Sequence, residues 1–100
     1  MFAFLKNWAT CRGVRRNNAA GVVVEVYGKP ECHLCEEAKA QLRRLQRRHG
    51  FTLREVDISA DGRLLAEYGT RIPVVWINGR LACKYRVEER VFLQKLRASR

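Results

Sequence analysis

Two cysteines three positions apart, Cys32 and Cys35 in Lys29-Pro30-Glu31-Cys32-His33-Leu34-Cys35, are the residues of this chain best placed to do chemistry. Thiols at i and i+3 share one face of a helix's first turn, within reach of the Cα separation of about 4.4–6.8 Å that a disulfide needs. Exchange of disulfides requires a thiolate, whereas a thiol of ordinary acidity is mostly protonated at neutral pH. If a helix opens near Cys32, its unsatisfied N–H groups and the positive end of its dipole stabilise that anion. Lys29 and a protonated His33 add to the effect, and Glu31 opposes it. Cys32 is therefore expected to attack a substrate disulfide. Cys35, further into the helix, less exposed and less acidic, is expected to resolve the mixed disulfide.

The competing readings are two cysteines serving as small core hydrophobes, or half of a metal site. Zinc takes about four ligands, and the remaining candidates (Cys83, His33, His49 and Cys11) stand at no recognised second-pair spacing, so no metal ligand set is assigned. Cys83 reads as a buried small apolar residue, with a third redox thiol as the sharper alternative.

The elements around the pair fit the exchange reading. Val22 to Tyr27 is an apolar, β-branched run with the length of a buried strand, ended by Gly28 and Pro30. Leu34, Ala38, Leu42, Leu45 and His49 then recur as one face of an amphipathic helix that Gly50 stops. Its opposite face carries Arg43, Arg44, Arg47 and Arg48, a stripe without acids near it in sequence. Phe51 to Ile58 reads as a second strand, placed at an edge by Arg54 and Glu55. Ser59 to Tyr68 fits a short helix capped by Asp61 and ended by Gly69. Val74 to Ile77, Asn78-Gly79, and Arg80 to Cys83 form a hairpin signal, because Asn-Gly suits a type I′ turn. A last helix is expected from about Val87 to Ala98. The pattern is βαβ, a short helix, then ββα: an α/β fold with one mixed four-stranded sheet and helices on both faces. Residues 1–20, basic and free of acids, read as a flexible leader or a start assigned too early, and residues 21–100 as the domain.

One hundred residues bound this to one domain, and no apolar run approaches the roughly 20 residues that span a bilayer. Twenty Lys and Arg against ten Asp and Glu give a net charge of +10, which favours acidic partners. Four unevenly spaced cysteines argue against a disulfide-stapled secreted scaffold and for a reducing compartment, the cytoplasm.

Tyr27-Gly28-Lys29-Pro30-Glu31-Cys32-His33-Leu34-Cys35, Arg71-Ile72-Pro73 and the hairpin after them resemble the glutaredoxin and thioredoxin-like superfamily, and in particular small glutaredoxin-like proteins of bacteria. The resemblance implies strand order 2-1-3-4, Cys32 as nucleophile and Cys35 as resolving thiol. It also implies a cis Pro73 beside them, Lys29 toward a glutathione carboxylate, and the Ile72 backbone paired with the substrate. It departs after the fourth strand, where glutaredoxins carry Gly-Gly and an acid and this chain has Lys84-Tyr85-Arg86. That change removes the close backbone approach and the partner for the glutathione amine, and weighs against glutathione binding. No tightly bound cofactor is implied, and glutathione enters only as a candidate reductant. His33-Leu34 also differs from the dipeptides of both relatives, which leaves the reduction potential open.

The function expected is that of an enzyme, a monomeric thiol-disulfide oxidoreductase acting on protein disulfides or glutathione mixed disulfides. Two alternatives stand beside it: a thioredoxin-like module that binds acidic partners or nucleic acid through its arginines, and a metal- or cluster-handling protein. Nucleic acid is the weaker partner class, because no aromatic-basic interleaving is present to stack bases.

Overall fold

A computed structural model describes residues 19–100. Residues 1–18, most of the expected leader and Cys11 with it, lie outside the described residues. The packed unit includes Ala19, ahead of the boundary read at residue 21. Ala19 is 1% exposed, and its N–H donates to the His49 carbonyl.

The elements run β1 (Val23–Gly28), α1 (His33–His49), β2 (Thr52–Asp57), a 3₁₀ turn (Ile58–Ala60), α2 (Gly62–Tyr68), β3 (Val74–Ile77), β4 (Arg80–Lys84) and α3 (Glu89–Ala98). The sheet order is β2-β1-β3-β4. Central β1 pairs in parallel with β2 and antiparallel with β3, and β3 pairs antiparallel with β4. This is the mixed α/β thioredoxin-type sheet expected, with β2 at the edge. Arg54 lies opposite Glu25 there, 4.0 Å from its carboxylate.

Alternation along β1 divides the core in two. Val24 and Val26 point to one face, where α1 and α3 cover them with Leu42, Leu45, Phe92 and Leu96. Tyr27 points to the other face, where seven-residue α2 is too short to cover everything and the aromatics stay half-buried. At the hairpin Asn78 and Gly79 both take positive φ, 50° and 82°, as the turn requires. Asn78 also locks the start of β1, its Oδ1 accepting from Val23 N–H at 2.9 Å.

Three expectations are corrected. The helix read from Ser59 divides into the 3₁₀ turn and α2, because Asp57 and Asp61 each cap their own turn. Asp57 Oδ1 accepts from Ser59 N–H at 2.9 Å, and Asp61 Oδ1 from Arg63 and Leu64 N–H at 2.9 and 3.3 Å. Leu34 does not join the buried face of α1 and stays 49% exposed; Cys35 takes that place, followed by Ala38, Leu42 and Leu45. The arginine stripe, free of acids in sequence, meets them in space. Arg43 grips Glu55 of β2 through Nε and Nη2, the former at 2.6 Å, and Arg44 lies 3.3 Å from Glu89 of α3. Arg43 thereby holds the Glu55 carboxyl below its ordinary range. Half of the proposed cationic face is thus paired. Arg47 and Arg48 stand in the last turn of α1, where they complement the helix dipole. No helix among the described residues is long and apolar enough to cross a membrane.

Candidate active site

Gly28 ends β1, and the chain turns through Lys29, Pro30 and Glu31 into α1, with Glu31 at φ 64°. Cys32 is the N-cap: its backbone is extended (φ −106°, ψ 109°), and its Sγ accepts from the Cys35 N–H at 3.3 Å. The sulfur therefore occupies the place of a capping oxygen, at the positive end of a 17-residue helix. Cys32 is half-buried, with its sulfur aimed at the first turn.

Cys35 lies beneath it, fully buried. Gly28 makes the room: a Cβ there would lie 3.0 Å from the Cys35 Cβ and 3.2 Å from its Sγ, so any larger residue would have to displace the second sulfur. Burial pushes the Cys35 thiol up to about 11, and its hydrogen bond with Cys32 adds to the rise; the Lys29 backbone N–H and the Lys39 ammonium pull the other way. The neutral thiol is thus the form the fold favours. From an ordinary value of 9.0, stability is unaffected below about that pH and is lost as pH rises through about 11. The loss expected from Cys35 is on the order of 1–2 kcal/mol, because part of the rise belongs to its interaction with Cys32. Urea midpoints of the reduced protein between about pH 8 and pH 11 should fall accordingly, and fall less in Cys35→Ala. An equal fall in the two proteins would exclude Cys35 as the source.

His33, expected to bring positive charge to Cys32, turns instead to solvent, where its Nε2 lies 2.8 Å from Glu37. Ile72 and Val74 share a cluster with Cys35, and Cys32 packs against it. The Ile72-Pro73 bond is cis, as the resemblance implied. Among the described residues, no hydrogen bond outside the sheet ladder engages the Ile72 backbone, and the ladder begins only at Val74. Lys29 is half-buried in the loop before Cys32. The structure thus gathers Cys32, Cys35, Ile72, Pro73 and the backbone of Lys29 at one end of the sheet.

Cys83 is not among them. It packs with Val87, Phe92 and Leu96 in the other cluster, and burial pushes its thiol up, so it behaves as a core hydrophobe. Among the described residues no three His, Cys, Asp or Glu side chains come together to hold a metal ion.

Two features of the site were not anticipated from the sequence. Tyr27, Tyr68 and Trp76 form a ring cluster behind the dithiol, with centroids 5.3–5.8 Å apart. The signal was there in the alternation that puts Tyr27 and Trp76 on the same face. The second is a cleft of about 140 Å³ between α1 and the β4-α3 loop, lined by Leu34, Glu37, Gln41, Tyr85 and Arg86 among others. Tyr85 keeps the left-handed backbone that glycine favours (φ 71°), held by its N–H on the Pro73 carbonyl at 2.8 Å, while its half-exposed side chain lines the cleft.

The glutaredoxin-like domain family (DUF836) matches residues 23–97. Among curated proteins, none matches the chain in sequence. Protein Ne2328 from Nitrosomonas europaea, solved by NMR, is 33% identical, with a TM-score of 0.65 over 74% of this chain and 89% of that one. Protein XcR50 from X. campestris is 28% identical, with a TM-score of 0.59 over 77% of this chain and 99% of that one. A thioredoxin from Halobacterium salinarum NRC-1 shares the fold at 18% identity, with a TM-score of 0.57 over 86% of this chain and 79% of that one.

Proposed function

The chain belongs to the glutaredoxin-like domain family (DUF836), and from that premise we propose that it is a thiol-disulfide oxidoreductase that reduces protein disulfides through Cys32 and Cys35. The observation that carries this reading is the Cys32 sulfur standing as the N-cap of α1 directly over the buried Cys35. The Cys32 thiolate attacks one sulfur of a client disulfide, forming a mixed disulfide and releasing the first client thiolate. Cys35 then loses its proton and attacks the Cys32 sulfur, which closes the Cys32-Cys35 disulfide and releases the second client thiolate. The client gains two electrons and the dithiol loses two.

Client binding in this reading falls to the Ile72 backbone, open beside the dithiol for an extended segment, with Pro73 shaping the loop and Lys29 facing a client carboxylate. Lys84, Tyr85 and Arg86 stand where a glutathione γ-glutamyl group would need glycine backbone and an acid, which favours protein disulfides over glutathione mixed disulfides. The net charge of +10 favours acidic client surfaces. The protein works as a monomer in a reducing compartment, the cytoplasm, without a tightly bound cofactor.

A redox titration in glutathione buffers tests this, with alkylation of the remaining thiols read by intact mass. One two-electron transition that removes the Cys32 and Cys35 thiols together is expected. If no potential bridges these two residues, the exchange mechanism falls.

A further inference from the structure

The resolving step poses a problem that the exchange mechanism leaves open. Cys35 is fully buried and disfavours its thiolate, yet it must become one to attack the mixed disulfide. The geometry over Gly28 points to the group that helps.

Lys39 stands one helical turn after Cys35, on the same face of α1. A Cβ placed on Gly28 would lie 3.2 Å from the Cys35 Sγ and 3.6 Å from the Lys39 Cε. Two atoms at those distances from one point are at most 6.8 Å apart. The Lys39 side chain is only 15% exposed, so its charge acts through protein more than through water. Three carboxylates share its field, Glu36, Glu55 and Asp57. Glu55 is gripped by Arg43, and Asp57 accepts from the Ser59 N–H and hydroxyl. Glu36 is the carboxylate in contact, at 3.4 Å, and it is 59% exposed. The other titratable groups packed around Cys35 are Cys32 and the phenols of Tyr27 and Tyr68, and burial keeps Tyr27 neutral.

Resting on the exchange reading above, we propose that Lys39 is the charge partner that activates Cys35 for the resolving step, its ammonium stabilising the Cys35 thiolate as the proton leaves. The timing follows from the contacts. In the free dithiol, burial first, and then the hydrogen bond and charge of Cys32, hold the Cys35 proton on, with the Lys29 N–H and Lys39 opposing them. Once Cys32 is bonded to the client, its sulfur is a neutral disulfide sulfur that offers neither that hydrogen bond nor that charge. The Lys29 N–H and Lys39 then oppose burial alone, so the buried thiol gives up its proton more readily once a client has been captured.

The test uses an aromatic disulfide, dithiobis(nitrobenzoate), on the full chain with Cys11→Ser, followed by stopped-flow absorbance. Attack by Cys32 releases the first thionitrobenzoate, and attack by Cys35 on the mixed disulfide releases the second. In Lys39→Met the first phase should be unchanged. The second should slow about three- to tenfold at neutral pH, its pH midpoint moving up by about half to one unit. Lys39→Arg should restore both. Glu36→Gln should move the midpoint down, since it frees Lys39 from its carboxylate. A second phase in Lys39→Met that matches the wild type in rate and pH profile would overturn the proposal. So would a slower phase with an unmoved midpoint, which would mark a packing role. A wild type with a first phase and no second at any pH would overturn the exchange reading itself, and this inference with it.

Discussion

Cys32→Ser is expected to lose disulfide reductase turnover by about 10³-fold or more, because a serine hydroxyl stays protonated where the cysteine supplies a thiolate. Among the described residues no second sulfur can take over: Cys35 is fully buried beneath Gly28, and Cys83 belongs to the opposite core cluster. Cys35→Ser should behave differently. Its Cys32 still attacks but nothing resolves the product, so a mixed disulfide accumulates and shows in intact mass as the client's added weight. Turnover in Cys32→Ser equal to that of the wild type would remove Cys32 from the nucleophile's role.

Phe92→Ala should destabilise the domain by about 3–5 kcal/mol, the range for deleting a buried aromatic ring and leaving a cavity. Phe92 is fully buried and meets Phe51 edge to face, with centroids 5.7 Å apart, so its ring joins α3 to the start of β2. Helix α3 has little else to define it, since its N-cap Glu88 makes no side-chain cap. Burial of Phe92 and Leu96 and the Lys95 ammonium on the Ala82 carbonyl, at 2.8 Å, hold it to the sheet. For a small domain with a total stability of about 5 kcal/mol, the loss would leave a large unfolded fraction. Equilibrium urea unfolding measures it, and a loss below about 1 kcal/mol would mean that the site relaxes around the missing ring.

What could be read from the sequence were the features carried by a few neighbouring residues. The strand from Val22, the Asn78-Gly79 turn, the Asp61 cap and Gly50 (φ 83°) at the end of α1 each follow from local sterics or local hydrogen bonds. The placement of Cys32 at the head of a helix followed in the same way, because strand and helix signals flank it directly. The order of the strands and the cis bond at Pro73 came only through resemblance, since both depend on contacts between distant segments.

The tertiary structure decided what depends on which face meets which. Helical period alone allowed either Leu34 or Cys35 to face inward, being four and three residues before Ala38. The space over Gly28 selected Cys35, and with it the burial that makes the second thiol reluctant to ionise. The same long-range packing paired Arg43 and Arg44 with Glu55 and Glu89, put Cys83 in the opposite cluster, and set Lys39 beside Cys35. The sequence by itself determined that a dithiol would stand at a helix N-terminus, because that is written in adjacent residues. Only the fold decided the environment of each sulfur, because burial and charge at a point are sums over residues that the chain brings together from far apart.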